Sequence, residues 1–245
     1  MNYFDFHIHL TQLKTFPVFS TVKDYSVISC CLTENEFYDT EKLVQNLKEK
    51  RINFGAENVS VKKAFGVHPQ FLNVENLKFL ALLLENKKID YIGEIGLDFF
   101  NEELKQTKNE QIIFFEKQLE LALKFKIPII IHERKAVNEL FKYKKELSLL
   151  PKVIFHNWSG SFMEAQFFLK NKVNAFFSFG NTLLTGKKSA VECVKLLPLQ
   201  RIVFETDAPF QKLKENQNQA ENLVNIYEKA SFIRGIDFTQ LNFEI

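Results

Sequence analysis

The amino-acid sequence predicts an α/β protein that folds as a single closed (β/α)8 TIM barrel. Its 245 residues are a usual length for one such barrel. Eight short apolar runs occur along the chain, and longer amphipathic stretches rich in Lys and Glu follow seven of them. A doubly wound open sheet is the alternative, but it usually carries a glycine-rich turn after its first strand, which this chain lacks. No linker, low-complexity tract or long repeat divides the sequence, so we assign residues 1–245 to one domain.

The predicted strands are short runs of apolar and β-branched residues. Continuously apolar runs such as Ile129-Ile130-Ile131 are typical of parallel strands that are covered on both faces. The eight predicted strands are Tyr3–His9, Tyr25–Leu32, Lys63–Val67, Tyr91–Ile95, Pro128–His132, Val153–His156, Ala175–Phe179 and Ile202–Glu205.

The predicted helices lie between these runs. In Ile112–Leu123 the apolar residues recur at intervals of three and four, as one buried face of a helix requires. The predicted helices are Asp39–Lys50, Asn73–Glu85, Gln106–Lys126, Lys135–Leu147, Phe162–Asn171, Lys187–Leu196 and Gln219–Arg234. The tail Asp237–Ile245 is expected to be only partly ordered.

Composition narrows the location and the partners of the protein. The net charge of +2 gives no argument for an extended nucleic-acid-binding surface. Three cysteines without disulfide or metal spacing indicate buried thiols in a reducing cytoplasm. No signal peptide opens the sequence, and no apolar stretch approaches the ~18 residues of a membrane span. We therefore expect a cytoplasmic protein without a membrane or an obligate protein partner.

All five histidines follow or end predicted strands. If the first strand alternates regularly, His7 and His9 project from one face about 6.6 Å apart, close enough to bind one metal ion. In a (β/α)8 barrel the active site forms at the carboxyl ends of the strands. The polar residues predicted there are His7, His9, His68, Glu94, His132, His156 and Asp207.

Four of these imidazoles and the two carboxylates can hold two divalent metal ions. The first metal is predicted on His7, His9, Glu94 and Asp207, and the second on Glu94, His132 and His156. Glu94 would bridge the metals, and Asp207 would accept the proton of the attacking water. Asp5, on the same strand face, is predicted to orient a histidine from behind. The ligand types suit Zn, Mn or Fe, and Mg where waters complete its coordination.

The motifs at these strand ends resemble the TatD family of metal-dependent hydrolases, within the amidohydrolase superfamily. The resemblance runs through nearly the whole chain, and it rests on Asp5–Leu10, Gly66–Pro69, Gly93–Asp98, His132–Arg134, His156–Gly160 and Glu205–Pro209. It implies a (β/α)8 barrel, a two-metal centre on the six ligands named above, and hydrolysis of phosphodiesters in DNA. Some members of the family are 3′–5′ exonucleases on single strands, and others are reported as D-aminoacyl-tRNA deacylases.

The sequence departs from the family pattern around the substrate. Gln70 replaces a second histidine after His-Pro, and Trp158 replaces the usual Phe. The loop Phe210–Gln219 is short and lacks the usual Arg-Asn pair, although Lys212 and Lys214 are candidates to replace that Arg.

Three side chains are predicted to bind substrate, each with a structural alternative. Arg134 would clamp a phosphate, or else pair with Glu133 or Asp98. His68 would bind phosphate or donate a proton, or else be a turn residue before Pro69. Trp158 would stack on a base, or else pack over the barrel mouth.

These observations predict a divalent-metal-dependent hydrolase that acts on ester bonds, in the first place a deoxyribonuclease. Its substrate would be DNA or another phosphodiester. One alternative is a D-aminoacyl-tRNA deacylase or another ester or amide hydrolase on the same scaffold. The other is a metal-binding protein without catalytic activity, which would require a damaged ligand set, whereas all six predicted ligands are present.

Overall fold

The structure, a computed structural model, describes residues 2–19, 22–211 and 219–241. Eight parallel strands form one sheet in the order of the chain, β1 to β8, which confirms the predicted TIM barrel. The strands are β1 Asn2–Ile8, β2 Val22–Cys31, β3 Ala56–Phe65, β4 Tyr91–Asp98, β5 Ile129–Arg134, β6 Val153–Phe155, β7 Ala175–Phe179 and β8 Ile202–Phe204. The assignment of residues 1–245 to one domain stays a prediction.

The segment after β8 is hydrogen-bonded to β1 and to the residue that follows it, and these bonds link the last strand of the sheet to the first. The Asp207 amide donates to the His7 carbonyl over 2.9 Å, and the His9 amide donates to the Ala208 carbonyl over 2.9 Å. The Asp5 carboxylate accepts from the Thr206 amide at 2.9 Å and from its hydroxyl at 2.6 Å. Asp5 thus fixes the backbone beside the site. The sequence predicted that Asp5 would orient a histidine, but its carboxylate does not bond to an imidazole ring in the structure.

The helices cover the outside of the barrel. They are α1 Glu34–Lys48, α2 Val74–Glu85, α3 Glu102–Gln106, α4 Lys108–Phe125, α5 Val137–Leu140, α6 Lys144–Ser148, α7 Phe162–Lys170, α8 Asn181–Leu184, α9 Lys188–Leu196 and α10 Gln219–Arg234. Short 3-10 turns occupy Leu10–Gln12, Phe141–Tyr143, Leu199–Arg201 and Phe238–Leu241. In the described part of the chain, none of the helices combines the length and apolar character that crossing a membrane requires.

Several predicted elements differ from those of the structure. Strand β3 begins at Ala56, seven residues before the predicted start, because its first half alternates polar and partly buried residues and shows no apolar run. The predicted helix Lys135–Leu147 is wrong as one helix, since a 3-10 turn separates α5 from α6. Similarly, Thr107 separates the short helix α3 from α4.

The barrel interior is a small apolar layer beneath the polar residues. It contains Phe6, Ile28, Cys30, Ala64, Tyr91, Ile130, Ile154 and Val203, all buried. A larger apolar cluster fills the space between the strands and the helices. The polar residues at the carboxyl ends of the strands therefore lie next to a packed apolar layer, as is usual for this fold.

Candidate metal centre

Glu94 is the central carboxylate of a group of buried histidines. Strand β4 carries an irregularity where Glu94 lies, since Ile92 pairs with Ile129 but Ile95 pairs with Ile131. One carboxylate oxygen, Oε1, lies 3.1 Å from the Nε2 atoms of both His7 and His9. The other oxygen, Oε2, faces a separate set of imidazoles. Glu94 therefore stands between two groups of nitrogen ligands.

The first group contains His7, His9 and Asp207. The Nε2 atoms of the two histidines lie 3.2 Å apart, and Asp207 Oδ1 lies 3.6 Å from His7 Nε2 and 3.9 Å from His9 Nε2. The regular alternation predicted for the first strand is broken, because the register of β1 shifts between Asp5 and Ile8 and His9 lies beyond the strand end. The two rings nevertheless converge on one point.

The second group contains His132, His156 and His68. Glu94 Oε2 lies 2.9 Å from His156 Nε2, 3.4 Å from His132 Nδ1 and 3.6 Å from His68 Nε2. His132 Nδ1 also lies 3.0 Å from His156 Nε2 and 3.2 Å from His68 Nε2. His68, which the sequence places on the substrate side, thus belongs geometrically to this group.

These two groups fit divalent metal ions. Ligand atoms at about 2.1 Å from a tetrahedral ion stand roughly 3.4 Å from one another, and the distances within each group fall around that value. The candidate ligand atoms of His7, His9 and Glu94 all lie within 4.8 Å of one another, as do those of His68, Glu94 and His132. Imidazole nitrogens that face one another at 3.0–3.2 Å are best satisfied by a shared cation.

The two carboxylates of the centre have opposite electrostatic environments. Burial raises the pKa of Glu94, but the charges of His7 and His156 and hydrogen bonds from His132 and His156 hold that pKa well below its usual range. Burial is the main cause that raises the pKa of Asp207, and the negative charges of Glu94 and Glu205 add to it. Asp207 is therefore the carboxylate of the centre that takes a proton more readily.

Three side chains face the ligand histidines from behind. His132 Nε2 lies 3.1 Å from Asp98 Oδ2, His156 Nδ1 lies 3.4 Å from Glu205 Oε1, and His7 Nδ1 lies 3.3 Å from Cys30 Sγ. Metal-binding histidines are commonly oriented by a partner at the other ring nitrogen. The sequence analysis named Asp98 as a partner of Arg134, and it did not predict that Asp98, Glu205 and Cys30 face ligand histidines. The position of Glu205, two residues before Asp207 at a strand end, was the available signal.

Two glutamines of α4 brace the strand ends that carry the site. Gln118 accepts a hydrogen bond from the Val67 amide at 2.7 Å and donates to its carbonyl at 3.1 Å. Gln111 makes the same pair of bonds to Asp98, at 2.8 and 3.1 Å. The two residues are seven positions apart, so they lie on one face of the helix. This support was also overlooked, although two glutamines on an otherwise apolar helix face were visible in the sequence.

The centre opens into a cavity of about 410 Å³. Arg134 lines this cavity, its guanidinium lies 3.9 Å from the centre of the Phe100 ring, and it approaches Asp98 at 3.9 Å. Gln70 donates to Asp98 Oδ2 at 2.6 Å. The other residues around the cavity are His9, Leu32, His68, Phe71, Glu94, His132, Glu133, His156, Asn157, Asp207, Phe210 and Gln211.

Trp158 is not on the cavity wall, and its predicted stacking role is corrected. Its side chain is only 1% exposed, and its ring packs 5.0 Å from that of Phe177 and 5.4 Å from that of Phe155. Gly160 fits against the same ring, because a Cβ atom at that position would lie 2.4 Å from it. Trp158 is therefore a core residue beneath the mouth. Lys212 and Lys214, the candidate loop lysines, lie outside the described residues.

The chain is similar in sequence to known metal-dependent hydrolases. The family model described as TatD related DNase matches residues 4–243. An uncharacterized metal-dependent hydrolase of Buchnera aphidicola, BU355, is 28% identical over 227 residues, which span 90% of this chain and 82% of that protein. The human 3′-5′ RNA nuclease TATDN2 is 30% identical over 225 residues, 85% of this chain but 28% of the human protein. The crystal structure of the TatD homologue YjjV of Escherichia coli has the same fold, with a TM-score of 0.77 and 23% identity over 98% of this chain and 93% of that one.

Proposed function

Because the chain belongs to the TatD-related DNase family of metal-dependent hydrolases, we propose that it hydrolyses phosphodiester bonds in nucleic acid, with DNA as the first substrate. The observation that carries this proposal is the position of Glu94, whose two oxygens face two separate groups of histidines. A carboxylate between two such groups is the arrangement that a two-metal hydrolase needs.

We propose that His7, His9, Glu94 and Asp207 hold one metal ion, and that Glu94, His132 and His156 hold the other. Bound divalent cations supply polarisation of a phosphoryl oxygen and a lower pKa for water. Zn and Mn match the mixed nitrogen and oxygen donors best, and Mg is the third candidate. His68 reaches the second group, where it serves as a further ligand or as a contact to a substrate oxygen.

The roles of the protein's own groups follow from their positions. The Asp207 carboxylate is assigned as the acceptor of the proton that the attacking water loses, because it lies beside the first histidine group and lines the cavity from which substrate and water enter. Arg134 is assigned to the substrate phosphate, since it lines the cavity and its ring contact with Phe100 fixes the guanidinium. The side chains of the centre are buried, which strengthens the electrostatic interactions among them.

The test is cleavage of end-labelled single-stranded DNA and RNA by protein reconstituted with Mn, Zn or Mg. We expect a metal-dependent product ladder, and we expect Asp207→Asn to lower kcat by about 10²–10⁴-fold. Asp24→Asn is the matched control, because Asp24 lies at the opposite end of the barrel, on β2, where it accepts a bond from Asn58. Hydrolysis of an aminoacyl ester without cleavage of either strand would reject the phosphodiesterase and favour the deacylase.

RNA is the second candidate substrate. The relative that favours it is the human 3′-5′ RNA nuclease, which shares 30% identity with this chain over 225 residues. The DNA and RNA arms of the same assay separate the two candidates through the ratio of their kcat/KM values. A preference for RNA of tenfold or more, about 1.4 kcal/mol of transition-state discrimination, would replace DNA as the proposed substrate.

A further inference from the structure

Most of the phenylalanines that the structure describes are buried or partly buried, and three of the four exposed ones lie at or beside one site. The chain has 27 phenylalanines. Among those whose side chains the structure describes, the exposed ones are Phe71, Phe100, Phe210 and Phe232. Phe71 and Phe210, 61% and 58% exposed, line the cavity of the metal centre, and Phe100 contacts Arg134 of the same cavity. Exposed aromatic surface that is concentrated around a site indicates a role in binding.

Both cavity-lining rings are held by tight turns that start at residues of the centre. The Phe71 amide donates to the His68 carbonyl over 2.9 Å, and the Phe210 amide donates to the Asp207 carbonyl over 2.9 Å. Each ring is thus the fourth residue of a hydrogen-bonded turn. The backbone position of each phenylalanine is therefore tied to that of a residue facing the metal groups.

The two rings contact histidines that face different oxygens of Glu94. The Phe71 ring lies 5.8 Å from the His68 ring, and His68 faces Glu94 Oε2. The Phe210 ring lies edge-on 4.8 Å from the His9 ring, and His9 faces Glu94 Oε1. Each histidine group of the centre therefore has an exposed aromatic ring beside it.

The charged groups of the cavity indicate what kind of ligand would contact the Phe71 and Phe210 rings. Arg134 supplies a positive group on the cavity wall for a phosphate, while the carboxylate residues that line the cavity, Glu94, Glu133 and Asp207, are buried. A planar, uncharged group attached to a phosphodiester matches this combination, and a nucleobase is such a group. Bases stack on aromatic side chains with little dependence on sequence.

We propose that Phe71 and Phe210 are stacking surfaces for the unpaired nucleobases on either side of the scissile phosphate. This inference rests on the proposed phosphodiesterase function, and it adds a preference for substrates with unpaired bases. A base within a duplex is already stacked on both faces, so only a single-stranded or frayed end can use these rings. The protein would then select substrates by the presence of free bases and not by the phosphate backbone alone.

The experiment compares two end-labelled substrates of equal length and charge: an all-thymidine strand and an abasic strand that keeps the sugar-phosphate backbone. We expect the metal-reconstituted protein to show a lower KM for the thymidine strand. Phe71→Ala and Phe210→Ala should each raise the KM for that strand about 5- to 150-fold, the range for loss of one stacked base, and leave the KM for the abasic strand unchanged. Phe71→Trp and Phe210→Trp should restore the preference, and Phe→Leu at either position should not.

Phe232→Ala is the matched control, because Phe232 is 80% exposed on α10 and is not part of the cavity wall. Equal KM values for the two strands in the unaltered protein would overturn the stacking inference while leaving phosphodiester hydrolysis intact. An equal rise of KM for both strands in the alanine variants would overturn it as well, since that result indicates a structural effect. Cleavage of neither strand would reject the proposed function itself, and the stacking inference with it.

Discussion

The Nε2 atom of His132 lies 3.1 Å from Asp98 Oδ2, while the Nδ1 atom of the same ring lies 3.4 Å from Glu94 Oε2. One imidazole is therefore held between two buried carboxylates. Burial raises the pKa of Asp98, but hydrogen bonds from His132 and Gln70 bring it to about 2, so the carboxylate is ionised at neutral pH. An ionised partner keeps the proton of His132 on Nε2 and leaves Nδ1 free for a metal ion.

The first prediction concerns metal affinity. Asp98→Asn should weaken the binding of one metal ion by about 10–100-fold, because an amide can present its NH2 group to His132 and no longer fixes the ring. Calorimetric titration of metal-free protein measures this affinity. Asp24→Asn removes a carboxylate far from the centre and should leave the affinity unchanged. Unaltered metal binding in Asp98→Asn would show that His132 is oriented without its carboxylate partner.

The second prediction concerns thermal stability. A metal ion that binds the native state at 100 times its Kd adds about 2.7 kcal/mol to the free energy of unfolding. For a chain of this size, that corresponds to a rise in Tm of roughly 5–10 °C. Differential scanning calorimetry with and without a chelator measures the shift. Glu94→Gln should abolish most of the shift, because the residue shared by both groups is then no longer an anion, and a full shift in this variant would contradict its bridging role.

The third prediction tests the corrected position of Trp158. Trp158→Ala should lower the free energy of unfolding by about 3–5 kcal/mol, because it leaves a cavity beside Phe155 and Phe177. Trp158→Phe should cost less and should keep the KM for single strands, since the indole does not reach the cavity. Chemical denaturation and steady-state kinetics measure the two quantities. A large rise in KM in a stably folded Trp158→Phe protein would indicate that the Trp158 side chain contacts the substrate.

The proximity of the six candidate metal ligands could be predicted because the barrel brings the carboxyl ends of its strands together, and these ends are visible in the sequence as polar residues that follow apolar runs. His7, Glu94 and His156 come from distant parts of the chain, yet the topology alone brings them to one place. This inference needs only the order of elements, and it survives errors of several residues at the element boundaries.

Contacts that depend on side-chain direction could not be predicted in the same way. The two glutamines on the apolar face of α4 are visible in the sequence, but no local pattern indicates that Gln118 bonds to Val67. Cys30 faces His7 because two neighbouring strands have a particular register, and that register contains an irregularity in β1. The exposure of Trp158 likewise depends on whether its side chain points towards the core or towards the cavity, and the sequence is compatible with both directions.

The last prediction concerns the support of Arg134 by Phe100. The guanidinium lies 3.9 Å from the ring centre, and Lys135 Nζ lies 4.7 Å from the same centre while also donating to the Phe100 carbonyl at 3.4 Å. An exposed cation–π contact contributes about 0.5–1 kcal/mol. Phe100→Leu should therefore raise the KM for a phosphodiester about two- to fivefold and change kcat little, because only the resting orientation of the guanidinium is loosened.

Arg134→Lys should raise the same KM further than Phe100→Leu does. An ammonium group cannot bind a phosphate through two parallel bonds, and it stacks poorly on a ring. The double variant separates binding from support: once the guanidinium is gone, adding Phe100→Leu should have no further effect on KM. Steady-state kinetics of the four proteins form the cycle. Additive effects of the two substitutions would mean that Phe100 contacts the substrate itself and does not act through Arg134.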